Sequence, residues 1–118
     1  MIYFFDTYAL VEIIRNNPNY VKYIHEVIST SVFNTIELYY AQLRDLGEEK
    51  AKSSYYKFKD SVLEINDDII FGAMKLKLKN KKLSYIDCIG YTFALKHNLK
   101  FLTGDKEFKD MDNVEFVR

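Results

Sequence analysis

The chain is poor in residues that staple or interrupt a polypeptide. Its 118 residues include one cysteine, Cys88, one proline and four glycines. A lone cysteine excludes an intramolecular disulfide framework and an all-cysteine zinc site. So little glycine and proline leaves few long loops, and helices are expected to dominate. Long hydrophobic runs are also missing. Met1–Phe5 and Ile69–Met74 fall far short of the about 20 residues a membrane span requires. No basic stretch precedes the first run and no small-residue cleavage pattern follows it, so no signal peptide is expected. The expected setting is soluble, reducing and cytoplasmic. Net charge is zero, from 17 basic and 17 acidic side chains, which excludes nucleic-acid binding by bulk charge alone but not a local basic patch.

What the chain has is an ordinary core-forming composition. It is 48% hydrophobic and 16% aromatic, which excludes disorder as the main state. At this length one domain, residues 1–118, is expected. No composition break, repeat or low-complexity segment divides it.

Short apolar runs at Ile2–Phe5, Ser31–Phe33, Val62–Ile65, Phe101–Thr103 and Val114–Val117 read as five strands. Helical spacing lies between them. Ala9, Leu10, Ile13 and Ile14 form one stripe, broken at Asn16–Asn17. Pro18 suits the first position of a second helix with Asn17 as its cap, and Tyr20, Ile24, Val27 and Ile28 would be its buried stripe. Asn34 reads as the cap of a third helix, with Ile36, Tyr39, Tyr40, Leu43 and Leu46 following until Gly47 stops it. Ala51, Tyr55 and Phe58 mark a fourth. Asn66 caps a fifth, in which the helical pattern outweighs a period-two stretch at Lys75–Lys79. Ser84 caps a sixth, with Ile86, Ile89, Phe93 and Ala94 on its face. Short strands alternating with helices read as α/β with a parallel sheet and helices on both faces.

Four acids share a placement in this reading. Asp6 directly follows the first strand, Glu37 lies in the first helical turn after the second, and Asp105 follows the fourth after Thr103 and Gly104. Asp87 lies in the first turn of the helix that feeds that strand. Ligands of open parallel sheets bind beyond the carboxyl ends of the strands, where chain order puts these acids. Two charges about 4 Å apart repel by about 4 kcal/mol at an effective dielectric near 20. Such a cluster must protonate, spread out or hold a cation. An oxygen-only site suits Mg²⁺ or Mn²⁺, and the chemistry it favours is phosphodiester hydrolysis.

The segments "FFDTYAL" at Phe4–Leu10, "NTIEL" at Asn34–Leu38, "LSYIDCIGYTFA" at Leu83–Ala94 and "FLTGDKEF" at Phe101–Phe108 resemble, in order, the four blocks of PIN-domain nucleases, and among them the VapC-like ribonuclease toxins. The resemblance implies a three-layer α/β sandwich with a central five-stranded parallel sheet, order 3-2-1-4-5. It implies a metal-dependent endoribonuclease with Asp6, Glu37, Asp87 and Asp105 as catalytic metal ligands for Mg²⁺ or Mn²⁺. Thr103 and Thr7 become the substrate-positioning hydroxyls. It also implies an RNA substrate, a small antitoxin partner and a homodimer, for which Tyr39, Tyr40, Tyr55 and Tyr56 could supply an apolar patch. The chain departs from the family pattern at Tyr8, where a serine is common, at Gly104, where an arginine is common, and at Asn34, where a hydroxyl residue is usual.

Structural readings compete at each acid. Asp6 could simply cap a helix. Asn34 with Glu37, and Ser84 with Asp87, each resemble a capping box. Asp105 could be a turn residue. Asp110 and Asp112 are either loop residues or further ligands. The basic run Lys75, Lys77, Lys79, Lys81 and Lys82 is either a solvated helix end or a phosphate track. His25 and His97 are expected at the surface or in packing, and Cys88 as a buried filler. The competing functions are a catalytically inactive PIN-like RNA-binding or scaffold module and a DNA nuclease of the same superfamily. A phosphoacceptor receiver domain is rejected: Asp6 lacks an acidic neighbour, and the only proline is Pro18.

Overall fold

A computed structural model describes residues 2–118. Strand β1 (Tyr3–Phe5) leads into α1 (Thr7–Ile14). A 3-10 segment at Pro18–Tyr23 precedes α2 (Val32–Leu46) and α3 (Glu48–Phe58). Helices α4 (Asp67–Lys79) and α5 (Tyr85–Lys96) follow, then β2 (Lys100–Thr103) and β3 (Val114–Phe116). The sheet is parallel in the order β1-β2-β3, with Phe4 opposite Phe101 and Leu102 opposite Glu115.

Side chains alternate across this sheet, and each face builds its own core. Phe4 and Phe101 point to the side covered by α4 and α5, where Ile69, Ala73, Ile89 and Phe93 are buried. Phe5 and Leu102 point to the other, against Leu10 of α1, Tyr20, Leu38 of α2 and Phe58 of α3. Each buried Leu, Ile or Phe among them contributes roughly 1.5–3 kcal/mol. Gly90 lets α5 sit this close: a Cβ there would stand 2.8 Å from the Phe4 ring.

The expected five strands do not all form. The third, Val62–Ile65, is reduced to a single parallel bridge of Val62 with Thr30, and Ser29, before the second expected run, bridges Phe4. The second expected strand, Ser31–Phe33, is taken by α2. Ser31 rather than Asn34 is the N-cap, its Oγ accepting from the Asn34 amide at 3.3 Å, so Glu37 falls in the second turn of α2, not the first. The expected helix through Ile28 is also shorter. Asn17 caps Pro18 as expected, but the segment stays 3-10. Tyr20 and Tyr23, three apart, are buried while Ile24 and Val27 are exposed, because 3-10 geometry stacks residues at i and i+3. In β1 both phenylalanines are fully buried, whereas Ile2 is 51% exposed.

The remaining helix signals hold. Asn66 and Ser84 cap α4 and α5 through their side chains, Gly47 ends α2, and Lys75–Lys79 is helical. No helix among the described residues is long and apolar enough to cross a membrane.

Candidate active site

A groove of about 810 Å³ opens at the carboxyl edge of the sheet, and Asp6, Glu37, Asp87 and Asp105 all line it. Backbone continuity explains each placement. Asp6 is the residue after β1, and its amide still donates to Leu102 O at 3.1 Å, which ties it to the sheet. Asp105 sits two residues beyond β2, held by its amide bond to Thr103 Oγ1 at 3.0 Å. Asp87 is in the first turn of α5, which starts at the edge where the strands end. Glu37 reaches in from α2.

One hydrogen-bonded network orients these groups. Thr103 Oγ1 donates to Asp6 Oδ2 at 2.8 Å. Thr7 Oγ1 donates to Glu37 Oε1 at 2.6 Å. Asn34, wholly buried, joins the two halves: its Nδ2 lies 3.0 Å from Thr7 Oγ1 and 3.4 Å from Asp6 Oδ1. Its own oxygen accepts from Ser31 Oγ at 2.6 Å, which turns the amide nitrogen toward the acids.

The capping alternatives resolve differently at each acid. Asp6 occupies the N-cap position of α1 but makes no side-chain cap bond. The expected Asn34–Glu37 box does not form, since Ser31 caps the helix and Glu37 bonds Thr7. Ser84 and Asp87 do form a capping box, each bond 3.0 Å. Asp105 caps the short turn Lys106–Phe108 through the Glu107 amide.

The charges are poorly compensated. Burial pushes the Asp6 carboxyl up to about 7; the charge of Asp87 and, less so, of Glu37 adds to this, and the Thr103 hydroxyl opposes it. Glu37 is raised by burial, with Asp87 adding and the Thr7 hydroxyl opposing. Asp87 is raised by burial, with Asp105 and Glu107 adding and Ser84 opposing. Among the described residues no lysine or arginine forms an ion pair with any of the four. Arg15 lines the groove but lies 4.0 Å from Glu12.

The donor set fits a hard cation. Among the described residues no histidine or cysteine lines the groove, which argues against a zinc-type site. Among the described residues no three acidic, histidine or cysteine side chains form a ready-made cage. Mg²⁺ does not need one, because it keeps several waters and binds through one or two carboxylates plus a phosphate.

Several other sequence candidates are not in the groove. Asp110 and Asp112 are exposed outside it. The lysine run also stays outside, and Lys77 instead donates to Lys81 O and Leu83 O at the end of α4. His97 is exposed and stacks on Phe93 at 4.1 Å, and Cys88 is a buried free thiol. Conversely, Tyr8, Arg15 and Tyr40 line the groove, and Asn34 acts as a buried bridge rather than a cap. The signal available for Asn34 was its position one helical turn before Glu37, on the same face.

Parallel strands on a two-sided core, with four acids delivered to one groove at their carboxyl edge, define an α/β protein with an acidic ligand pocket. The chain belongs to the PIN domain family, whose pattern matches residues 3–114. No curated protein matches it in sequence. Solved structures share its fold. A toxin–antitoxin complex from Klebsiella pneumoniae aligns over 98% of this chain and 96% of that chain, at TM-score 0.75 and 19% identity. VapBC2 from Rickettsia felis, bound to a DNA fragment from its promoter, aligns over 99% and 98%, at TM-score 0.76 and 19% identity. VapC20 of Mycobacterium tuberculosis, described as a sarcin–ricin loop cleaving toxin, aligns over 98% and 96%, at TM-score 0.78 and 15% identity.

Proposed function

We propose that this protein is a metal-dependent endoribonuclease, the VapC-like toxin of a toxin–antitoxin pair. The observation that carries the reading is the convergence of Asp6, Glu37, Asp87 and Asp105 on one groove, with no ion pair to any of them among the described residues. In this reading Asp6, Glu37, Asp87 and Asp105 would hold Mg²⁺ or Mn²⁺, in part through water. When bound, such an ion neutralises charge at the scissile phosphate and acidifies the attacking water. Asp6, fixed by Thr103 and Asn34, is a ligand with little freedom to reorient. Glu37 keeps one oxygen on Thr7 and has the other free of that bond to face the groove. Thr103 and Thr7 position the substrate indirectly, by holding Asp6 and Glu37.

The partner assignments follow the structural relatives. Toxin–antitoxin complexes among them support a small antitoxin, and the loop-cleaving toxin supports RNA as substrate. A cytoplasmic homodimer is part of the proposal, and Tyr40 and Tyr56, each 64% exposed, support it. The parallel bridges at Ser29–Thr30 and Val62 support a sheet built on the order 3-2-1-4-5 within one domain spanning 1–118. An inactive RNA-binding module would be favoured by a missing acid, and none is missing from the groove.

The test is cleavage of a labelled single-stranded RNA by the purified protein with Mg²⁺, with Mn²⁺ and with chelator. Cleavage should require the ion and should fall at least about 100-fold in Asp87→Asn, as losing a group that stabilises transition-state charge does. Cleavage that persists in chelator, or in the variant at the wild-type rate, overturns the proposal.

A further inference from the structure

We infer that Tyr8 is a nucleotide platform: the base beside the scissile phosphate stacks on its ring, so the substrate strand must be unpaired there. The inference rests on the endoribonuclease reading and adds to it how the strand is held. Tyr8 lies two residues after Asp6 and lines the same groove, half-buried. Tyr40 shares the groove with it, but two further tyrosines on this side of the sheet are spent on the fold. Tyr20 and Tyr23 are buried, and their hydroxyls donate to Val117 O and Glu115 Oε2.

The Tyr8 ring has a rigid backing. It lies so close to the backbone of Gly104 that a Cβ there would stand 2.3 Å from Tyr8 Cε1 and 2.3 Å from Val117 O. Only glycine admits the ring at this point, just before Asp105. A pre-positioned ring loses little freedom when a ligand stacks on it. The guanidinium of Arg118 lies 6.0 Å from the ring centroid. Its segment is anchored at both sides: Val117 N donates to Thr103 O at 2.9 Å, and Asn17 Nδ2 donates to Arg118 O at 3.3 Å. A groove-lining ring beneath an exposed guanidinium suits a nucleotide, the base taking the place of Arg118 on the ring face. The ring takes the base and the cation takes the phosphate. A paired base inside a duplex cannot offer its face in this way.

A purely structural Tyr8 makes a different prediction. Its ring packs against the core around Phe5 and Leu10, so its removal would lower stability without changing which strands bind. The experiment measures equilibrium binding of a fluorescent oligoribonucleotide in Ca²⁺, an oxygen-seeking ion, together with KM and kcat in Mg²⁺. Wild-type protein should bind the single strand more tightly than its duplex. In an abasic scan, one position should weaken binding roughly 5- to 100-fold, the range that stacking of one base supplies. Tyr8→Phe should behave as wild type. Tyr8→Leu should raise KM by a similar factor, leave kcat within about threefold, and lose the sensitivity to that abasic position. Equal affinity for strand and duplex, a flat abasic scan, or an unchanged KM in folded Tyr8→Leu overturns the platform. If Tyr8→Leu does not fold, the abasic scan on wild type decides alone. RNA cleavage without these effects removes only the platform, whereas absence of both binding and cleavage removes the nuclease reading as well.

Discussion

Thr7 Oγ1 donates to Glu37 Oε1 over 2.6 Å, joining the start of α1 to the second turn of α2 across 30 positions of sequence. With Asn34 Nδ2 behind Thr7 at 3.0 Å, the hydroxyl is held as donor on one side and acceptor on the other. The acids are therefore oriented by neutral groups of fixed polarity, not by cations, and their mutual repulsion is left for a ligand to relieve.

Burial of Asp6, with that repulsion adding to it, sets a pH dependence. Asp6 retains its proton up to about pH 7 in the folded chain against 3.8 as its ordinary value. Between those values the folded state binds more protons than the unfolded one, so stability falls as pH rises through the window. The full penalty is present above it, on the order of 4 kcal/mol. Asp6→Asn should remove most of that slope and raise the melting temperature in chelator at pH 8. Adding Mg²⁺ should stabilise wild type and leave Asp6→Asn nearly unchanged. Thermal unfolding at pH 5 and pH 8, with and without Mg²⁺, checks both. A variant less stable than wild type at pH 8 in chelator contradicts this account.

Asn34→Leu keeps the volume but removes the amide that bridges Ser31, Thr7 and Asp6. Stranding those buried partners should cost about 1–3 kcal/mol, read from urea denaturation, and cleavage should fall with it. Asn34→Asp adds a carboxylate beside Asp6, so its loss of stability should be larger at pH 8 than at pH 5.

Thr103→Val removes the donor to Asp6 and the acceptor for the Asp105 amide. The Thr103 bond holds the Asp6 pKa down, so the variant's pH-dependent loss of stability should continue to higher pH and become larger. A titration of melting temperature against pH reads both.

Gly104→Ala forces a Cβ to within 2.3 Å of both Tyr8 Cε1 and Val117 O. Destabilisation of about 1–3 kcal/mol is expected, as for other overpacked sites. Because one clash is with backbone, Tyr8→Ala in the same chain should not restore wild-type stability. Chemical denaturation of the single and double variants distinguishes this from a clash confined to the ring.

Local signals in the chain were enough for several features. Phe4 and Phe5 in one unbroken apolar run imply a strand buried on both faces, because alternate side chains must enter opposite cores. Asn17, Asn66 and Ser84 declare helix starts, since an amide or hydroxyl oxygen there can satisfy a free backbone N–H. Acids placed just after strand ends, or at the start of a helix feeding a strand, go to one edge of any parallel sheet. The route of residues 20–34 was decided by packing. Two strong signals competed at Ser31 and Asn34, and only the approach of α2 to Asp6 settled which capped and which bridged. Ser29 and Thr30 were left with single bridges once Ser31 began the helix. The contacts of Tyr8 with Gly104 and of Thr103 with Asp6 span 96 and 97 positions. Such contacts depend on the distance between separate elements, which local periodicity does not encode.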